Sequence, residues 1–162
     1  MVRLDFIEKV EAFKGLNDEQ MTAVQNCCEE KEFQRGDKIF GVGDEARYPW
    51  IVMEGQVDLR FDLPRRPTAE ENTIASIAGG KFLGWSSLVP PYKYRLSAYC
   101  ASRTCKMIKI DRTKLTKLFE NDFKLGRIIM TNLAVIIGGR FNQLENEIVK
   151  RRGQDVMSNW KW

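Results

Sequence analysis

The chain has 162 residues, 43% of them apolar and 30% charged, an ordinary globular mix that excludes disordered, collagen-like and purely coiled-coil classes. Lys and Arg number 26 against 22 Asp and Glu, a net charge of +4 spread along the chain. That balance does not point to nucleic acid, whose readers carry a clustered basic patch. The length suits one domain.

The longest uncharged stretch of the C-terminal half, Ile128–Gly139, is too short to span a bilayer. The N-terminal run MVRLDFIEKVEAF lacks the apolar segment of a secretory signal, so the expected compartment is the cytoplasm. There is no histidine, which removes the commonest general base and metal ligand. Cys27, Cys28, Cys100 and Cys105 have no Cys-x-x-Cys spacing, so they read as free thiols filling core space rather than a zinc site.

Residues ~4–31 are expected to be helical. Leu4, Ile7, Val10 and Phe13 recur every third position, and Gly15 suits a stop. Asn17 with Gln20 predicts a capped second helix whose stripe is Met21, Val24 and Cys28.

Residues ~32–110 read as short strands separated by turns. Glycine and proline punctuate at Gly36, Gly43, Gly55, Pro64–Pro67, Gly79-Gly80, Gly84 and Pro90-Pro91. Strands are predicted at Lys38–Phe40, Trp50–Met53, Gln56–Phe61, Thr73–Ile77, Leu96–Ala101 and Cys105–Ile110. Asp62–Asn72 is polar and predicts a long, mobile hairpin loop. Asp37, Asp44, Glu54 and Asp58 are assigned to turns and strand ends.

Residues ~111–150 return to helix, with Asp111 and Asp122 as N-caps. The second of these helices carries Leu125, Ile128, Ile129, Leu133, Ile136, Ile137, Phe141, Leu144 and Ile148 at spacings of 3 and 4. Gly138-Gly139 costs it about 2 kcal/mol against alanine, which implies a bend or a close approach by another chain or ligand. The 151–162 segment, with Trp160 and Trp162, reads as a short tail. The fold class is therefore α+β: an antiparallel β-roll with N-terminal helices and a long C-terminal helix. No motif joins a nucleophile to a base, so no enzyme is expected.

The run Phe33-x-x-Gly36-Asp37-x-Ile39-Phe40-x-x-Gly43-Asp44, then Trp50-Ile51-Val52-x-Glu54-Gly55-x-Val57, then Gly80-x-Phe82-x-Gly84, resembles the cyclic nucleotide-binding domain superfamily. The resemblance covers about residues 10–150. It implies a phosphate-binding cassette at residues 80–98, with Gly84, Trp85, Ser86, Ser87, Leu88, Arg95, Leu96 and Ser97 as ligand contacts. Arg95 falls where the family places a phosphate-pairing arginine, whose fork suits phosphate oxygens. Arg140 and Phe141 on the long helix would face the pocket or a partner chain.

One departure is Trp85. The family usually has a glutamate there that accepts a hydrogen bond from the ribose 2′-hydroxyl, whereas an indole only donates. Losing that acceptor costs about 1–3 kcal/mol. A second departure is the short stretch after Lys150, too short for a helix-turn-helix, so direct DNA binding is not expected.

The resemblance thus implies a sensor of cAMP, cGMP or a related anion, without a cofactor. A homodimer through helix 123–150 would signal to a downstream protein. Two other readings stay open: a ligand-free dimeric interaction module whose pocket Trp85 closes, and a redox or metal sensor using the four cysteines.

Overall fold

A computed structural model describes residues 1–159, with side chains through Asp155. Trp160 and Trp162 lie outside the described residues.

Two four-stranded antiparallel sheets form the roll. In chain order the strands are β1 (Cys28–Gln34), β2 (Lys38–Phe40), β3 (Trp50–Glu54), β4 (Gln56–Arg60), β5 (Thr73–Ala78), β6 (Phe82–Leu83), β7 (Ser97–Cys100) and β8 (Thr104–Ile110). One sheet runs β1-β8-β3-β6 and the other β2-β7-β4-β5. Successive strand side chains point to opposite faces, and this period of two divides the core. Trp50, Val52, Leu83, Cys105 and Met107 fill the space between the sheets with Phe40, Val57, Ala98 and Cys100. Their neighbours Ile51, Phe82, Ile108 and Ile110 face outward and are covered by helices.

Those helices are α1 (Leu4–Ile7), α2 (Asp18–Gln25), α3 (Arg112–Asn121) and α4 (Phe123–Asn159). Ile7, Val10, Phe13, Val24, Leu115, Leu125, Ile129 and Leu133 are all buried in this second cluster. The caps are as predicted. Asn17 and Gln20 exchange hydrogen bonds in a capping box. Asp111 accepts from the Lys114 N–H at 3.1 Å and Asp122 from the Leu125 N–H at 3.0 Å. Among the described residues no helix is long and apolar enough to cross a membrane.

Three boundaries need correction. The helical span 4–31 is broken. Its three-residue spacing matches a 3-10 turn at Glu11–Phe13 instead of a continued α-helix. Cys28–Lys31 are strand, the first part of β1, which pairs with β8 from Cys28↔Ile110 to Gln34↔Thr104. The 151–162 tail is also revised, because α4 continues to Asn159. Gly138-Gly139 stays helical, and an added Cβ at either glycine would meet no atom within 4 Å, so no close approach within this chain explains the pair.

Asp58 is not a turn residue. It is a buried member of β4, 8% exposed, on the outer face of its sheet. The carboxylate accepts from Arg60 at 3.2 Å and Ser76 at 2.8 Å. Arg60 also donates to Thr68 at 3.3 Å and lies over the Tyr99 ring at 4.9 Å. Burial pushes the Asp62 carboxyl up, but hydrogen bonds from Tyr99, Ser97 and Thr68 outweigh it and hold the group below the ordinary aspartate value. The 62–72 loop is thereby tied to the sheet beneath it.

Candidate ligand-binding cradle

The cradle begins where β6 ends. Gly84 has φ +75°, a left-handed conformation that glycine adopts without strain. A Cβ there would come within 3.2 Å of the Tyr48 carbonyl oxygen and 3.3 Å of the Tyr94 ring. This turn sends the chain into a 3-10 turn, Trp85–Leu88, closed by the Ser87 hydroxyl donating to the Gly84 carbonyl at 2.7 Å.

The chain then returns through residues 89–96 against the loop that follows β2. The Ala46 N–H donates to the Tyr92 carbonyl at 2.7 Å, and the Gly43 N–H to the Tyr94 carbonyl at 2.8 Å. Tyr94 stacks on Phe40 with ring centroids 3.9 Å apart, and its hydroxyl donates to the Tyr48 carbonyl at 2.7 Å. The floor is thus held by strand-like pairing and stacked rings.

Between these pieces is a cavity of about 50 Å³. Its walls are Phe40, Trp85, Tyr94, Leu59 and Leu96, with Gly84 and Ser86 at the turn and the guanidinium side chains of Arg95 and Arg140. Arg95 is exposed. Arg140 reaches in from α4 and donates to the Phe82 carbonyl. Burial pulls its pKa below the ordinary arginine value, partly offset by Glu11. Among the described residues no carboxylate lines this cavity. The arrangement suits an anion, since two guanidiniums offer only donors.

Of the residues singled out in the sequence, Gly84, Trp85, Ser86, Arg95, Leu96 and Arg140 come together. Four do not. Ser87 is fully buried and bonded to the Gly84 carbonyl, and Leu88 packs on the helical cluster. Ser97 is fully buried in β7, where its hydroxyl accepts from the Val42 N–H at 2.9 Å. Phe141 is 61% exposed and sits off the cavity. Phe40, Leu59 and Tyr94 were missed. Leu59 was accessible from the alternation along Gln56–Phe61, which puts it on the face opposite Asp58 and Arg60.

The cysteines form two separate pairs. Cys100 and Cys105 touch inside the roll, their sulfurs 2.7 Å apart, while Cys27 lies in the helical cluster with Cys28 against it. Burial pushes the thiols of Cys27, Cys28 and Cys100 up to about 11, 12 and 12, which disfavours the reactive thiolate. No group of three metal-ligating side chains occurs among the described residues.

A family model for the cyclic nucleotide-binding domain matches residues 30–122, more than half of the chain. The chain belongs to that family. Domains of this family are regulatory. A cGMP-dependent protein kinase of Drosophila melanogaster, isozyme 2 forms cD5/T2, is 28% identical over 118 residues, covering 72% of this chain and 12% of the kinase. Human cGMP-dependent protein kinase 2 is 20% identical over 157 residues, 97% of this chain and 19% of the kinase. The chain therefore spans less than a fifth of either kinase.

Among solved structures, a candidate cyclic nucleotide-binding protein from Geobacter metallireducens GS-15 superposes with a TM-score of 0.75 at 28% identity. That match covers 87% of this chain and 99% of the other. The Thermus thermophilus catabolite activator protein superposes at 0.68 with 21% identity, over 91% of this chain and 63% of that one, a likeness of fold.

Proposed function

We propose that this cyclic nucleotide-binding domain is a non-catalytic sensor of a cyclic nucleotide or a related small anion, signalling through α4. The observation that carries the reading is that two arginines line one cavity, Arg95 from the cassette and Arg140 from α4. An anion held by both is held by the helix as well as by the roll.

The cavity, at about 50 Å³, is far below the ~300 Å³ at which ordinary ligand sites begin. Arg140 is also a wall of a groove of about 520 Å³ beside β5 and α4, lined by Ser76, Ile77, Ile136 and Gln143 and by the charged Glu11 and Lys81. In the proposed switch Arg140, the residue common to both linings, moves to open the cavity toward this groove. A ligand would then favour a state in which Arg140 has left the Phe82 carbonyl and α4 has shifted, a population change between two conformations.

Beyond the roll, α4 exposes Phe141, Leu144, Ile148 and Val149 at 44–69%. A second copy covers them in the proposed homodimer, and a downstream protein reads the helix. The proposed setting is the cytoplasm, without membrane or direct DNA contact.

Calorimetric titration with cAMP and with cGMP, for which the kinase relatives are named, tests the sensor. Saturable binding that is lost in Arg95→Ala is the expected result. The small cavity and the packing of Trp85 against the helical cluster favour one competing reading, a closed module that binds only proteins. Flat titrations of a folded protein would select it.

A further inference from the structure

The side chains that line the small cavity are rich in donors and include no carboxylate. Arg95, Arg140 and the Trp85 indole carry N–H groups and no acceptor. The Tyr94 hydroxyl is engaged with Tyr48 on both sides, donating to its carbonyl at 2.7 Å and accepting from its N–H at 3.3 Å. Ser86 brings the other hydroxyl of the lining, and Phe40, Leu59 and Leu96 close the remainder with apolar surface. An anionic group satisfies these donors. A ligand hydroxyl held within this cavity meets no carboxylate among its lining residues; Glu11 lines only the adjoining groove.

We infer that the ligand end entering this cavity is an anion carried on an aromatic or otherwise apolar body, that sugar hydroxyls next to the anion are not read, and that Trp85 sets this preference. The inference deepens the sensor reading above and rests on it. Trp85 occupies the first position of the turn after Gly84, is half-buried, packs against the helical cluster and lines the same cavity as Arg95 and Arg140. There it offers a surface for stacking and for cation–π contact, and excludes water.

The test compares three probes on the full chain by calorimetry: cAMP, 2′-deoxy-cAMP and phenyl phosphate, each repeated with Arg95→Ala. The expected result is that 2′-deoxy-cAMP binds at least as tightly as cAMP, because a hydroxyl buried without an acceptor gains nothing and costs its lost hydration. Phenyl phosphate is expected to bind at the same Arg95-dependent site. A preference of about tenfold or more for cAMP over 2′-deoxy-cAMP would overturn the inference while leaving the sensor reading intact. Binding of phenyl phosphate alone would support the inference and remove the cyclic nucleotide from the sensor reading. Flat traces with all three would overturn both. In Trp85→Gln, which supplies an uncharged acceptor, cAMP is expected to gain about fivefold over its 2′-deoxy form. An unchanged ratio in the folded variant would remove Trp85 from the role. If the variant does not fold, the wild-type ratio decides alone.

Discussion

Removing Asp58 is expected to be among the most damaging single changes outside the apolar core. Asp58 and Arg60 are 8% and 6% exposed, so neither charge is screened by water in the folded state. In Asp58→Ala the guanidinium keeps Thr68 and the Tyr99 ring but loses its only ion pair among the described residues. Breaking a buried pair from one side costs about 3–5 kcal/mol, because a charge is left uncompensated. At roughly 2–4 °C per kcal/mol for a chain of this size, the midpoint should fall by about 6–20 °C. Replacing both members with apolar side chains, Asp58→Leu with Arg60→Met, removes the stranded charge and should cost much less than the two single changes together. Urea unfolding followed by tryptophan fluorescence gives the complete cycle. A loss under about 1 kcal/mol in Asp58→Ala, or strict additivity in the cycle, would refute the argument that this pair is buried and coupled. The functional stake is Leu59. It lies between the two charges in β4 and points through the opposite face into the cavity wall, so the outer pair fixes the strand that presents it.

Three further outcomes are expected. Gly84→Ala and Gly80→Ala both force a side chain into the left-handed region, at roughly 1–2 kcal/mol each. Only Gly84 also crowds the Tyr48 carbonyl, so its midpoint should drop further by a few degrees in thermal melts, and equal losses would argue against the close approach. Phe141→Glu with Ile148→Glu should convert the proposed homodimer to monomer in size-exclusion chromatography with light scattering, leaving the melting temperature of the monomer within about 2 °C because both side chains face solvent. A wild-type monomer would remove the dimer from the proposal. The thiols of Cys27 and Cys28, raised from the ordinary 9.0 to about 11 and 12, stabilise the fold in their neutral form. That contribution is complete below about pH 9 and is lost as pH rises towards 12, so unfolding free energy should decline across this window, and less steeply in Cys28→Ala. An identical slope in the variant would show that Cys28 is not the group involved.

The roll, its glycine turns and the three helix caps were legible because each rests on local chemistry, whereas the cassette was read only through the family resemblance. Asn17, Asp111 and Asp122 cap with their own side chains, and Gly84 is required by its own backbone angle. β1 was not legible. Its sequence, CEEKEFQ, is charged because it is an edge strand, paired on one side only and exposed along much of its length. β6 has two residues, too few to show any period. Asp58 was hidden because a carboxylate in a strand carries no local sign of the arginine and the long loop that bury it.

Arg140 and Phe141 show how a side chain that lines the cavity was visible yet read with its neighbour. The buried face of α4 steps through Leu125, Ile129, Leu133 and Ile136, at intervals of 4, 4 and 3. The next step of 4 is residue 140. Hydropathy favours Phe141 for the core side, but 100° of helical rotation carries it off the stripe and into solvent. The stripe instead delivers an arginine to the roll, where burial disfavours its charge and a single carbonyl receives it. A charge held where the pattern calls for an apolar residue is costly unless opposite charge compensates it, and Glu11 does so only in part. That cost is the physical reason for expecting an anion between Arg95 and Arg140.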